Sequence, residues 1–413
     1  MYTLPLWAGV LLGRAWAEDP PPDPPPTPPS DASPAPLAPL APLEPLAPLE
    51  PLAPLESGGA APLAPLPDAP APAAAPQTFP GMLNPAMSFN GLFLAGAELD
   101  DGALAPPHVG EEEGAKELEG AGQTFGTGLS VQEMELQLLA AVDPFFKANV
   151  TLAIPGGEGL EVEEGYVQLT SVPRLLVTIG KFKESFGREN LTHTHALLTI
   201  DKSLIGQAVF GEEGLNDVGV GASLLLPTPW FSELTASVDA GNNEVIFGSG
   251  EALGMGTTAH WKNLVDLSPT TSLEVGLSGT TGLNAYDGRT IVGGADVTLK
   301  GGGRGRRQFN KYVWQTEYIF AAPGGSDSVD GLYSTVEYAV TRRFWVGGRF
   351  DWMGVAVPVE PVFAGTAIVV FAPTEFSALR LQYQRQFLPD DHAIDSVVGQ
   401  LNFTIGAHPA HAY

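Results

Sequence analysis

The chain has 413 residues, with 47 Asp and Glu against 20 Lys and Arg, a formal charge of −27. So acidic a balance argues against nucleic acid as a partner, and the length suits one large barrel or two ordinary domains. Cysteine is absent, so an exported fold would have to rely on closure and packing rather than on disulfides.

In chain order, residues 1–17 read as a signal peptide. Leu6 to Leu12 is mostly apolar, and Ala15-Trp16-Ala17 is a small-x-small cleavage site before Glu18, although the first residues carry no Lys or Arg. Residues 18–83 form a Pro-rich segment that repeats Pro-Leu units from Ala35 to Glu56. Proline at this density joins neither sheet nor helix, which predicts a disordered, extended periplasmic linker.

From Asn84 to the end, residues 84–413, the pattern changes to apolar/polar alternation. In Glu233 to Ala240, Leu234, Ala236 and Val238 share one face; in Ser272 to Thr280, Leu273, Val275 and Leu277 do the same. A period of two means strands with one apolar face. No segment reaches the ~18 apolar residues of a spanning helix. Short turns at Asp143-Pro144, Val172-Pro173, Pro227-Thr228-Pro229, Ser268-Pro269, Thr341-Arg342 and Pro373-Thr374 alternate with longer loops. Those loops run over 100–126, 184–216, 241–254, 323–330 and 353–365. Turns on one side and loops on the other predict an all-β, transmembrane antiparallel β-barrel of roughly sixteen strands (14–18 allowed), with both ends on the turn side. Val218, Val220, Ala222, Leu224 and Leu226, and Val397, Leu401, Phe403 and Ile405, are outward sets. Tyr312, Trp314, Tyr318 and Phe320 on one strand face would supply aromatic girdles.

The opposite face would line a wet lumen, where charge tunes passage. Candidate pore-lining acids are Glu133, Glu135, Glu164, Glu233, Asp239, Glu274, Asp296, Glu317 and Glu337. Candidate bases are Lys147, Lys181, Lys183, Arg188, Lys311, Arg343, Arg349 and Arg380. The mixture leans acidic. The loop after the fifth strand carries an apolar stretch, Ala196 to Ile200, that is poorly placed in water. It would either fold into the lumen or cover the mouth. His193 and His195 would share one side of a strand as two metal ligands must, with Glu189 or Asp201 to complete a set. His408 and His411 form a second such pair, and Glu111-Glu112-Glu113 an acidic run that could gather cations at the mouth.

The stretch Ala148 to Pro227 goes beyond pattern. Val142-Asp143-Pro144-Phe145 with Ala148, Glu163-Glu164-Gly165-Tyr166 and Gly180-Lys181-Phe182 lead into Phe186-Gly187, Asn190, His193-x-His195, Asp201 and Gly211-Glu212. With the ending Ile405-Gly406-Ala407-His408 and His411, the chain from Asn84 to Tyr413 resembles bacterial outer-membrane barrels labelled zinc-regulated outer-membrane receptors. These are distantly similar to phosphate-selective porins. The resemblance implies a barrel in the outer membrane of a Gram-negative envelope. It does not bring the Lys/Arg ladder that a phosphate-selective pore would want.

These features predict a porin-like channel for passive diffusion of small hydrophilic solutes or ions, mildly favouring cations. The alternative is a plugged binding or receptor barrel for a metal or an envelope partner. The partners would be outer-membrane lipid and the solutes or ions themselves. Association into a homotrimer and a periplasmic partner for the Pro-rich segment stay open. No cofactor is called for. His260, on a predicted strand from Thr257 to Leu267, has no recognisable catalytic partner in the sequence, so no enzyme is expected.

Overall fold

A computed structural model of the chain describes residues 85–406, apart from 99–126, 158, 249–253, 286–287, 304–309, 358–360 and 390–391. The Pro-rich segment, the acidic run at Glu111, His408 and His411 lie outside the described residues.

Sixteen strands follow one another. The first four are β1 (Ala86–Glu98), β2 (Gly128–Ala141), β3 (Phe146–Pro155) and β4 (Glu161–Leu169). Then come β5 (Leu175–Lys183), β6 (Asn216–Leu225), β7 (Phe231–Asp239) and β8 (Gly256–Ser268). They continue as β9 (Thr271–Leu283), β10 (Arg289–Gly301), β11 (Tyr312–Ala322) and β12 (Val329–Ala339). The last are β13 (Phe344–Met353), β14 (Val362–Thr374), β15 (Ser377–Phe387) and β16 (Ala393–Gly406). Each pairs antiparallel with its sequence neighbours, and β1 pairs with β16 from Ser88↔Gly406 to Glu98↔Ser396, closing the barrel. Closure leaves no strand edge with unpaired amides, the condition for a sheet in hydrocarbon.

The turns at one end are tight for a chemical reason. Asp143 Oδ1 accepts from the amides of Phe145 and Phe146 at 2.7 and 2.8 Å, and Thr341 Oγ1 does the same for Arg343 and Phe344. Such side-chain acceptors mimic a backbone turn. At the other end lies the long connection 184–215, but the sorting by length holds only in part: the turn-side connection 302–311 is longer than 156–160, 284–288 or 388–392 at the opposite end.

The outer face is apolar. Val218 and Val220 are 56% and 51% exposed, and Leu234, Leu277, Val346, Val369 and Leu401 are exposed with them. Phe145, Phe146, Trp230, Phe231, Phe344 and Phe376 are exposed around the turn end, as in an interfacial aromatic girdle. Among the described residues no helix is long and apolar enough to cross a membrane; the strands provide the lipid-facing surface.

Of four register irregularities among the described strands, two fall within strands beside the loop rather than at a turn. Leu92 pairs with Glu133 but Phe93 with Val131, so β2 carries an extra residue at Gln132. Thr151 pairs with Glu164 but Leu152 with Val162, so β4 carries an extra residue at Glu163. A bulge lets two consecutive side chains aim toward the same face. Both bulges put polar pairs, Gln132-Glu133 and Glu163-Glu164, into the lumen.

The inward loop and its histidine–carboxylate cluster

The segment between β5 and β6, residues 184–215, folds into the barrel. Its neck is closed by the Glu184 amide donating to Leu215 O at 2.9 Å. Asn190 staples both limbs: its Nδ2 donates to the carbonyls of Glu184 and Leu215 at 2.8 and 3.0 Å, and its Oδ1 accepts from the Leu215 amide at 2.7 Å. The inward turn needs Gly187. At φ +55 it sits against Glu317, and a Cβ there would lie 1.6 Å from Glu317 Oε1. Its amide donates to Ser278 on β9, and the next two amides donate to Glu317 on β11.

The far side of the lumen holds the loop by charge. Arg349 on β13, 3% exposed, donates to Thr199 Oγ1, Asp201 O and Asp201 Oδ2 at 2.6, 2.8 and 2.9 Å, and to Asp351 at 2.7 Å. Arg380 on β15 donates to Leu197 O at 2.7 Å. Gln382 accepts from the Ile200 amide, and Gln132 on β2 donates to Ile200 O. The stretch Ala196 to Ile200 therefore folds into the lumen; it does not cover the mouth. Beyond it, α1 (Leu204–Phe210) is capped by Ser203, whose Oγ accepts from the Gly206 amide at 3.1 Å. All seven helix residues are buried. Leu204, Ile205, Val209 and Phe210 join Ile246, Phe247, Ile319, Tyr333, Met353 and Val362 in one apolar cluster. A helix so largely apolar is stable only when enclosed, and its one polar side chain, Gln207, donates to Lys202 O at 2.7 Å.

His193 and His195 do not lie on a strand. His193 precedes a 3₁₀ turn, Thr194–Ala196, that includes His195, and the two rings stack at 5.7 Å. Their expected companions are elsewhere: Glu189 accepts from Ser203 at 2.6 Å, and Asp201 is held by Arg349. The carboxylates that meet the imidazoles come from the bulged strands. His193 Nδ1 is 3.4 Å from Glu135 Oε2 and 3.2 Å from Glu163 Oε2, and its Nε2 is 3.3 Å from Glu164. His195 Nδ1 is 3.2 Å from the same Glu135 oxygen. Thr194 donates to Glu133, and Lys183 pairs with Glu163 at 2.8 Å.

Burial alone would pull the His193 imidazole down. The carboxylates of Glu135, Glu163 and Glu164 override it and hold the ring well above its ordinary value. At the neck, burial pushes the Glu184 carboxyl up to about 8, opposed by its bond with Ser237 and reinforced by Asp239 and Asp217. Burial, with Lys183 nearby, brings Lys202 down to about 8.

Two cavities adjoin the loop on its turn side and share Leu191 and His193. One, about 400 Å³, is lined by Glu135, Gln137, Glu164, Tyr166, Thr178 and Ser223 among others. The second, about 200 Å³, is lined by Arg188, Lys262, Lys300, Gln315 and Thr335 among others.

Most sequence-predicted lining residues fall on the inward face. Glu133 and Glu135, Lys147, Glu164, Glu233, Asp239, Glu274, Asp296, Glu317, Glu337, Arg349 and Arg380 lie there, on β2, β3, β4, β7, β9, β10, β11, β12, β13 and β15. Arg188 reaches Glu274 at 3.6 Å, and Glu233 meets Lys262 at 3.6 Å. Lys181 is a correction: it pairs with exposed Val218 on the outward face, two pairs from the loop end, where a long side chain can reach the rim. Lys311 and Arg343 are not on the wall; they sit in exposed positions just before β11 and β13 at the turn-side mouth. His260 has a partner the sequence did not offer, Asp296 Oδ2 at 3.7 Å. Gln132 and Glu163 were missed because strict alternation faces them outward. The signal was there in each pair of adjacent polar residues within an otherwise alternating strand.

No family model matches the chain. An uncharacterized protein of Aquifex aeolicus (strain VF5) is 30% identical over 364 residues, covering 76% of this chain and 75% of that protein. Among solved structures, an anion-selective porin from Comamonas acidovorans has a TM-score of 0.50 at 10% identity, covering 78% of this chain and 98% of that one. OprB of Pseudomonas putida gives 0.50 at 9%, covering 78% and 94%. The trimer form of OmpT, an outer membrane protein of Vibrio cholerae, gives 0.50 at 6%, covering 78% and 99%. At these identities the structural likeness shows a shared porin-type fold. The resemblance to zinc-regulated receptors gains no support from these matches.

Proposed function

The chain belongs to one family with the Aquifex aeolicus protein, and from its barrel and inward loop we propose a porin-like channel of the outer membrane. It passes small hydrophilic solutes or ions by diffusion, with residues 184–215 as the constriction. One observation carries this reading: the loop is pinned to β2, β9, β11, β13 and β15 by lumen-facing side chains, with polar cavities beside it. A wet, charged interior inside an apolar outer band is what diffusion through lipid requires. The chemistry is passage, not catalysis. In this reading residues 1–17 are a signal peptide, 18–83 a periplasmic linker with room for an envelope partner, and 84–413 the barrel, which associates as a trimer.

A mild cation preference follows from the acids on the wall. Several are offset by Lys183, Arg188, Lys262 and Arg349, but the acids of the inward face outnumber its bases. The test is the reversal potential of the full chain in a planar bilayer across a KCl gradient. A cation-selective sign that shrinks in Glu164→Gln/Glu337→Gln is expected. An anion-selective sign would remove the preference. A folded barrel that stays electrically silent would remove the channel and leave the plugged binding barrel.

A further inference from the structure

The histidine–carboxylate cluster has more donor atoms than a passage for solutes requires, and they are arranged as ligands. We propose that His193, His195, Glu135 and the flanking carboxylates of Glu133 and Glu163 bind a divalent transition-metal ion inside the barrel. Glu135 is common to two three-residue sets, Glu133–Glu135–His195 and Glu135–Glu163–His193. The donor atoms of each set lie within 4.8 Å of one another.

Three observations carry the assignment. The first is spacing. The donors stand 3.2 to 3.4 Å apart around Glu135 Oε2 and His193 Nδ1, and ligands held at about 2.0–2.1 Å in a tetrahedron are separated by roughly 3.3–3.4 Å. The second is an unmet need. Glu135 is 2% exposed, yet its Oε2 and the Oε1 of Glu133 accept no hydrogen bond among the described residues. The Nδ1 atoms of His193 and His195 stand 3.4 and 3.2 Å from Glu135 Oε2. The third is orientation. His193 turns Nδ1 toward Glu135 and Glu163 while Nε2 faces Glu164 at 3.3 Å, and a ligating imidazole is characteristically steadied by a carboxylate on its other nitrogen.

The supports are rigid. Glu133, Glu135 and Glu163 stand on strands locked into the barrel, and Lys183 fixes the other oxygen of Glu163. The 3₁₀ turn carrying the histidines is tied to β2 by Thr194 and to β16 by Asn402, which donates to His195 O at 3.0 Å. Mixed imidazole and carboxylate ligands select zinc-like first-row ions; calcium and magnesium prefer oxygen alone. The site stands on the loop's placement and does not require that the barrel conduct.

Calorimetric titration of metal-stripped, folded full chain with ZnCl₂ tests it. The expected result is saturable binding that excess Mg²⁺ does not abolish. Glu135→Gln should weaken it at least about tenfold and His193→Ala/His195→Ala should remove it, while Glu375→Gln, in the exposed turn between β14 and β15, leaves it unchanged. Heat-modifiable migration confirms that each variant is folded; if the double variant is not, Glu135→Gln, which keeps the side chain's shape, decides. No saturable heat in the wild type, or the same isotherm in Glu135→Gln, would reduce the cluster to an ion-paired latch and overturn the site. Conductance is read separately: a silent barrel that binds Zn²⁺ keeps the site and loses the channel, and a conducting barrel that does not bind it does the reverse.

Discussion

Arg349 is the residue on which the loop's position turns. It is buried between Asp201 of the loop and Asp351 of its own strand, and each nitrogen it offers meets an oxygen at 2.6 to 2.9 Å. Removing one member of such a group leaves buried charge without a counterion, at a cost of about 3–5 kcal/mol. In Arg349→Ala the two aspartates repel one another, so the loop should detach while the wall persists. Limited proteolysis should cut Arg349→Ala within 184–215 and spare the wild type; equal resistance would mean that the apolar cluster around α1 holds the loop unaided. Glu184 gives a pH signature at the neck. Its folded value of about 8 against an ordinary 4.5 means the folded state keeps a proton that the unfolded chain gives up. That contribution is full below about 4.5 and is lost as the pH rises through about 8. Above it, the ionised carboxylate faces Asp217 and Asp239. Thermal stability should therefore fall more between about pH 5 and pH 9 in wild type than in Glu184→Gln, and parallel profiles would contradict the assignment.

At the scale of elements, the strands were legible because alternation leaves its mark wherever one face meets lipid. β6, β7 and β9 could be placed from the alternating apolar sets that begin at Val218, Leu234 and Leu273. The turns were legible from Asp143 and Thr341, whose side chains close them. What failed were the places where alternation itself breaks. Glu163 and Gln132 sit at bulges, and Lys181 follows the regular period of β5 outward, so reading it as lumen-facing put it on the wrong side. His193 and His195 do converge, but through a 3₁₀ turn and not a strand. Their carboxylate neighbours come from strands about 30 and 60 positions earlier, a distance that no local pattern reveals. The facing assignment on β6 can be tested directly. Val220→Arg puts a charge near the middle of the lipid face and should destabilise the barrel by about 2–4 kcal/mol. Ser223→Arg, on the inward face beside the larger cavity, should be tolerated within about 1 kcal/mol. Denaturant unfolding of the two variants measures the difference, and equal losses would reverse the faces.

For the molecule as a whole, the barrel and its contents do separate jobs. Closure by β1 and β16 satisfies the backbone within lipid, and the loop, tied to opposite walls, occupies the lumen. The fold class was readable because it follows from a repeated local pattern. The loop's course was only half readable, since apolar Ala196 to Ile200 announced that it would be sheltered but not by which strands. The most direct test of the account is single-channel conductance of the full chain against a variant in which residues 186–214 are replaced by a short Gly-Ser bridge. A constriction formed by the loop predicts discrete openings in the wild type and a several-fold larger step in the shortened barrel. Equal steps in both would show that the loop does not set the pore, and silence in both would contradict a channel altogether.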